Sequence, residues 1–162
     1  MKTKPLTFLL AFTFLFLFSS SSVVFADDFQ DGFDAYKRKD YKEAYKLFLP
    51  LAEQGNAFAQ FNLGVMYEDG QGVPQDYKET LKWYRLSAEQ GYAKAQYNLG
   101  VMYYEGQGVS KDYVLSHMWF SIVNSQGYKD AVTNRNIVEK KMSKQKIEEA
   151  QELARNWKPT SK

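Results

Sequence analysis

The sequence predicts an all-α protein, a stack of helical hairpins, on three observations. Residues recur at a shift of 36, apolar positions inside each repeat follow a helical period, and aspartates and glycines punctuate the repeats where helices start and stop. Asn56–Gly91 and Tyr92–Gly127 agree at about half their positions. The register extends outward. Asp40-Tyr41 precedes Asp76-Tyr77 and Asp112-Tyr113, Gln54-Gly55 precedes Gln90-Gly91 and Gln126-Gly127, and Ala131 and Asn134 continue Ala95 and Asn98.

Each repeat reads as two helices. The first runs from about Ala57 to Asp69, with Ala59, Leu63, Met66 and Tyr67 on one face. The second runs from about Tyr77 to Gln90. Asp76 is a good N-cap, and Glu79 three residues on completes a capping-box pair, as Glu43 does for Asp40; at Asp112 the partner position is Leu115, so only half the cap remains. Gly55, Gly91 and Gly127 suit the left-handed residue that closes a helix. Gly64 and Gly100 stand inside helices, where glycine costs about 1 kcal/mol against alanine. Close approach of the second helix, with Trp83 or Trp119, is the expected compensation.

The glycine cluster Gly70-Gln71-Gly72, repeated as Gly106-Gln107-Gly108, invites a phosphate-binding reading. A phosphate loop follows a strand and leads into Gly-Lys-Ser/Thr. Here a helix precedes the glycines, and Val73-Pro74-Gln75 or Val109-Ser110-Lys111 follows. A dinucleotide fingerprint fails too, for want of a strand and a third glycine. The glycines read as a corner, with Val73 tucked under the turn.

The chain has 162 residues, 44% hydrophobic and 17% aromatic, enough for one domain or one short array. Lys2 and Lys4, an apolar run from Leu6 to Phe18, four serines and Val24-Phe25-Ala26 describe a secretory signal peptide over residues 1–26, with cleavage leaving Asp27 first. The run is too short to span a bilayer, so no stable membrane span is expected after cleavage. Location in the periplasm or outside the cell follows. The chain has no cysteine, hence no disulfide framework and no thiol for a lipid anchor at the cleavage site. Without Lys2 and Lys4 the formal charge of +2 falls to near neutral, which argues against a nucleic-acid binder. Acidic residues lead from Asp27 to Asp40 and lysines dominate from Lys129 to Lys162, an asymmetry that could orient a partner or a second copy.

In "AQFNLGVMYEDGQGVPQDYKETLKWYRLSAEQG" and "AQYNLGVMYYEGQGVSKDYVLSHMWFSIVNSQG" the Ala-Gln-aromatic-Asn-Leu-Gly start, the Gly-Gln-Gly-Val turn, the Asp-Tyr helix start, the Trp and the closing Gln-Gly stand in register. These segments resemble Sel-one-like repeats (SLR), relatives of the tetratricopeptide repeats (TPR). The resemblance implies a right-handed α/α solenoid that binds other proteins. It divides the chain after the signal into a TPR-like hairpin over 27–55 that lacks the glycine turn, Sel-one-like repeats over 56–91 and 92–127, a C-terminal capping hairpin over 128–158 and a tail over 159–162. In the capping hairpin Arg135-Asn136 replaces Leu-Gly, as suits a unit that shows one face to water. One branch of the family has cysteine-bridged repeats linked to β-lactam binding, and this chain departs from that pattern.

Catalytic and metal-binding residues are not predicted, and no cofactor is expected. His117 is the only histidine, mid-helix where its counterparts are Leu81 and Tyr45, and reads as a packing or surface residue. Glu68-Asp69 and Glu148-Glu149 read as solvated faces. The candidate partner-binding residues form a second stripe along the first helices: Phe58, Phe61, Asn62 and Val65, then Lys94, Tyr97, Asn98 and Val101, with Tyr104 one turn further. By the resemblance this stripe, or part of it, lines the concave surface, where a protein or peptide would dock. Aromatic residues supply contact area and asparagine can bind a peptide backbone; the same residues could equally pack one repeat on the next. The expected function is a non-enzymatic adaptor. The alternatives are a cell-envelope hydrolase or its accessory, and a structural protein that self-associates head to tail.

Overall fold

A computed structural model describes residues 29–160; the signal peptide read over 1–26 and the last two residues of the tail lie outside them. Among the described residues there are eight α-helices and no strand. They are α1 (29–37), α2 (Tyr41–Glu53), α3 (Ala57–Asp69), α4 (Tyr77–Glu89), α5 (Ala93–Glu105), α6 (Tyr113–Ser125), α7 (Lys129–Glu139) and α8 (Lys144–Asn156). Each of α2 to α6 packs on the next in sequence. Phe58 of α3 touches Phe29 and Phe33 of α1 and Tyr92 at the head of α5, while α6 touches α8. The odd and even helices therefore form two layers, the architecture of an α/α solenoid.

The aspartates cap as expected. Asp40, Asp76 and Asp112 accept from the amides of Glu43, Glu79 and Leu115 at 3.3, 3.2 and 3.0 Å. The reciprocal half of the capping box does not form. The Asp76 amide already donates to the Tyr67 carbonyl and the Asp40 amide to that of Ala35. Glu79 and Glu43 instead turn along their helices to Lys82 and Lys46.

Ala59, Leu63 and Met66 are fully buried, as are Ala95 and Leu99 in the next unit, with Met102 almost so. Tyr67 sits at the edge of this face, half-buried, its hydroxyl 3.0 Å from that of Tyr45. The helical glycines do permit close approach, but to a different ring from the one expected. A Cβ on Gly64 would collide with Tyr84, and one on Gly100 would lie 2.9 Å from Phe120. Trp83 and Trp119, one residue earlier, point about 100° away around the helix and fill the contact between neighbouring hairpins: Trp83 joins Phe48, Leu51 and Leu63, and Trp119 joins Ala88, Leu99 and Ile122.

The glycine corner is a repeat-to-repeat joint. Gly72 and Gly108 have φ of 76° and 67°, and a Cβ on either would strike the backbone carbonyl of Tyr41 or Tyr77, at the start of the preceding unit's second helix. Backbone thus occupies the space a phosphate would take. Val73 and Val109 pack beneath these turns against the apolar clusters.

The last hairpin differs from the others. Both α7 and α8 rest on α6, yet they scarcely touch each other. Beyond α8 the chain turns back. Trp157 meets Trp119 edge-on at 5.9 Å, and Thr160 donates its amide to the Glu89 carbonyl at 2.8 Å.

Candidate functional site

The predicted stripe lies along α3 and α5, in the layer of first helices. Its members do not share one environment. The Phe58 ring is enclosed by Phe29, Phe33 and Tyr92. Phe61 stacks on Tyr84 at 5.6 Å and leans on Tyr92 at 5.1 Å. Tyr97 sits between Phe120 and Tyr128, and its hydroxyl accepts from the Asn134 amide at 2.8 Å. These three rings link one unit to the next. Asn62 is buried and donates to the Phe58 carbonyl of its own helix at 2.8 Å, while Asn98 lies beside the Tyr84 hydroxyl. Val65 is partly covered and Lys94 is exposed.

Val101 and Tyr104 open on a recess between α5 and α7. Phe120 of α6 is its floor, Val101, Ile137 and Val138 are its apolar walls, and Tyr104, Glu105 and Asn134 bring polar atoms to its rim. Its volume is about 180 Å³. Ile137 is 41% exposed there, unusually open for an isoleucine. The recess lies where the side chains of α5 and α7 do not meet over the buried Phe120, which is 1% exposed.

Beneath this face a set of buried amides holds the repeats in register. Gln60 donates to the Ala52 carbonyl at 3.0 Å and accepts from Gln90 at 2.7 Å; Gln96 does the same with Ala88 and Gln126 at the same distances. Each glutamine thereby ties three consecutive helices. The sequence reading missed this role, although Ala-Gln and Gln-Gly recur in phase and were its signal.

Tyr84 anchors α4 under α3 and donates its hydroxyl to Glu68, so Glu68 is a buried tyrosine's acceptor and not merely part of a solvated face. Burial first, and then the Glu68 carboxylate, raise the Tyr84 phenol far above its ordinary 10.0. A folded value above the unfolded one means that the stabilisation is complete below pH 10.0 and is lost as pH rises beyond it. Stability in urea should fall as pH rises above about 10, each such tyrosine adding up to about 1.4 kcal/mol per pH unit. Tyr67, Tyr36 and Tyr92 shift in the same direction. The diagnostic result is therefore a shallower alkaline slope in Tyr84→Phe than in the parent.

His117 is a packing residue. It is fully buried in α6, its Nε2 2.8 Å from Glu139 Oε1 on α7 and its Nδ1 3.4 Å from Ser121 Oγ. Ser121 stands mid-helix, where the surrounding amides are committed to the α6 ladder, so the arrangement offers no backbone oxyanion hole. Among the described residues no group of three or more His, Cys, Asp or Glu could hold a metal ion, and no helix is long and apolar enough to cross a membrane. Of the other acidic pair, Glu148 meets Lys144 at 3.8 Å on the surface and Glu149 is exposed.

Among the described residues, a two-layered stack of related helical hairpins without strands defines an α/α repeat protein. Residues 29–56, 57–92 and 93–128 each match the Sel1 repeat family, and the chain belongs to that family. The first match covers the segment that resembled a shorter TPR-like hairpin. Sel1 repeats commonly serve as protein–protein interaction scaffolds, and proteins of this fold are typically non-enzymatic. Among solved structures, the chain is similar to a protective antigen present in uropathogenic Escherichia coli strains that displays an SLR fold. Identity is 33% over 82% of this chain and 29% of that one, with a TM-score of 0.77. A Sel1 repeat protein from Oxalobacter formigenes is 34% identical over 68% of this chain and 45% of that one, with a TM-score of 0.64. The chain thus spans less than half the length of either. No curated protein matches it.

Proposed function

We propose that this protein is an exported, non-enzymatic adaptor that holds a peptide or a protein surface against its layer of first helices. The recess between α5 and α7 carries the reading: an apolar floor and walls with an exposed isoleucine, and polar groups on the rim, suit one anchoring side chain and its backbone. Val101 and Tyr104 are its contact residues from the predicted stripe, with Lys94 exposed nearer the start of α5. Export rests on the basic-apolar-small pattern of residues 1–26.

A photo-crosslinking residue placed at Ile137 in cells should give a discrete protein adduct, and one placed at Lys42, exposed on α2, should not. The adduct should carry a chain beginning at Asp27. Tyr104→Ala should weaken partner capture by about 30-fold, as loss of a buried interfacial tyrosine does, with helicity unchanged. Equal adducts from both positions, or capture unaffected by Tyr104→Ala, would move the site elsewhere.

A further inference from the structure

The cleft between α7 and α8 brings two arginines to one space. In the two complete repeats one core position is a fully buried leucine, Leu63 or Leu99. At the same register the last unit has Arg135. A guanidinium in place of the leucine explains why α7 and α8 do not close on each other. Between them, above α6, lies a cleft of about 410 Å³, within the range of small-molecule sites.

Its lining sets polar and cationic groups beside two apolar side chains, Ile122 and Ala154. Arg135 enters from α7, Arg155 and Gln151 from α8, and the Ser121 and Ser125 hydroxyls from α6; no carboxylate lines it. Glu139 neutralises Arg135 only in part. Its Oε1 is 3.5 Å from Arg135 Nε and is shared with His117, and the buried Nε has no hydrogen-bond partner. Arg155 is exposed at the cleft's edge and has no carboxylate within salt-bridge reach among the described residues. A buried donor left unpaired is destabilising and favours a ligand that would accept from it. Two guanidinium groups facing one space, with hydroxyl and amide groups beside them, form a recognition set for oxyanions, which accept from arginine in paired, charge-assisted bonds.

We propose that the α7–α8 cleft binds a small dianion through its carboxylate or phosphate oxygens, with Arg135 and Arg155 as the charged contacts. The site is separate from the α5–α7 recess and does not depend on the adaptor reading. Inorganic phosphate and succinate are the probes, each titrated at constant ionic strength against chloride and followed by amide NMR shifts. At least one should saturate, with shifts confined to α6, α7 and α8. Saturation by phosphate alone assigns a phosphomonoester-like ligand, by succinate alone a dicarboxylate, and by both an oxyanion site without that discrimination.

Arg155→Gln, a surface change, should weaken binding by about tenfold or more. Arg135→Leu restores the residue of the other repeats and should abolish binding while the protein stays helical. No saturation with either anion overturns the proposal, as do shifts outside these helices or equal affinity in the parent and Arg155→Gln.

Discussion

Trp83→Ala is expected to lower the free energy of unfolding by about 3–5 kcal/mol, the range for deleting a buried tryptophan. Trp83 is 6% exposed and packs with Phe48, Leu51, Leu63 and Met66, so its ring is shared by two units. In a stacked array the contact between neighbours supplies stability that no single hairpin has. Against a usual total of about 5–15 kcal/mol, the change would remove a large share. Trp83→Phe should cost much less, because it keeps most of the buried ring and deletes an Nε1 that is buried without a partner. Urea melts of the three proteins make the comparison. A loss below about 1 kcal/mol for the alanine variant would show that the ring does not hold the two units together.

Gly108→Ala should be nearly as damaging, at about 2–4 kcal/mol, from two sources. The residue has φ of 67°, which alanine adopts only under strain, and its new methyl would strike the Tyr77 carbonyl, a backbone atom that cannot rotate aside. Gly127→Ala separates the two. That residue has φ of 88° but nothing within 4 Å of its Cβ position, so it should show the backbone strain alone, about 1–2 kcal/mol. Equal losses at the two positions would mean that the joint at Tyr77 is loose enough to give way.

Much of the fold was legible because the chain repeats itself. Asp40, Asp76 and Asp112 mark helix starts through local hydrogen bonds to amides three residues on, and local chemistry is what a sequence displays directly. The partner of Gly64 was off by one residue, since Trp83 and Tyr84 are both large and only the rotation of α4 decides which faces the glycine. The candidate site was harder to read. Periodicity places Phe58, Phe61, Tyr97, Val101 and Tyr104 on one strip, but it does not say what the neighbouring unit lays over them. Tyr92 and Tyr128, each at the head of the following unit, occupy the first three; the last two face the recess, and the ring beside Tyr104, Tyr113, belongs to its own unit. Arg135 was visible as a departure from Leu-Gly, yet the cleft it opens depends on how α7 and α8 both settle on α6, a tertiary fact without a local signature.

The bond from Thr160 to Glu89 joins positions 71 residues apart. In a simple array, fraying at one end is felt only next door. Here the final turn of chain is fastened to the middle of the molecule, past the α5–α6 hairpin, so peeling it away must also break its bonds to the end of α4. Opening the C-terminus therefore costs contacts with the second repeat as well as with its nearest neighbours.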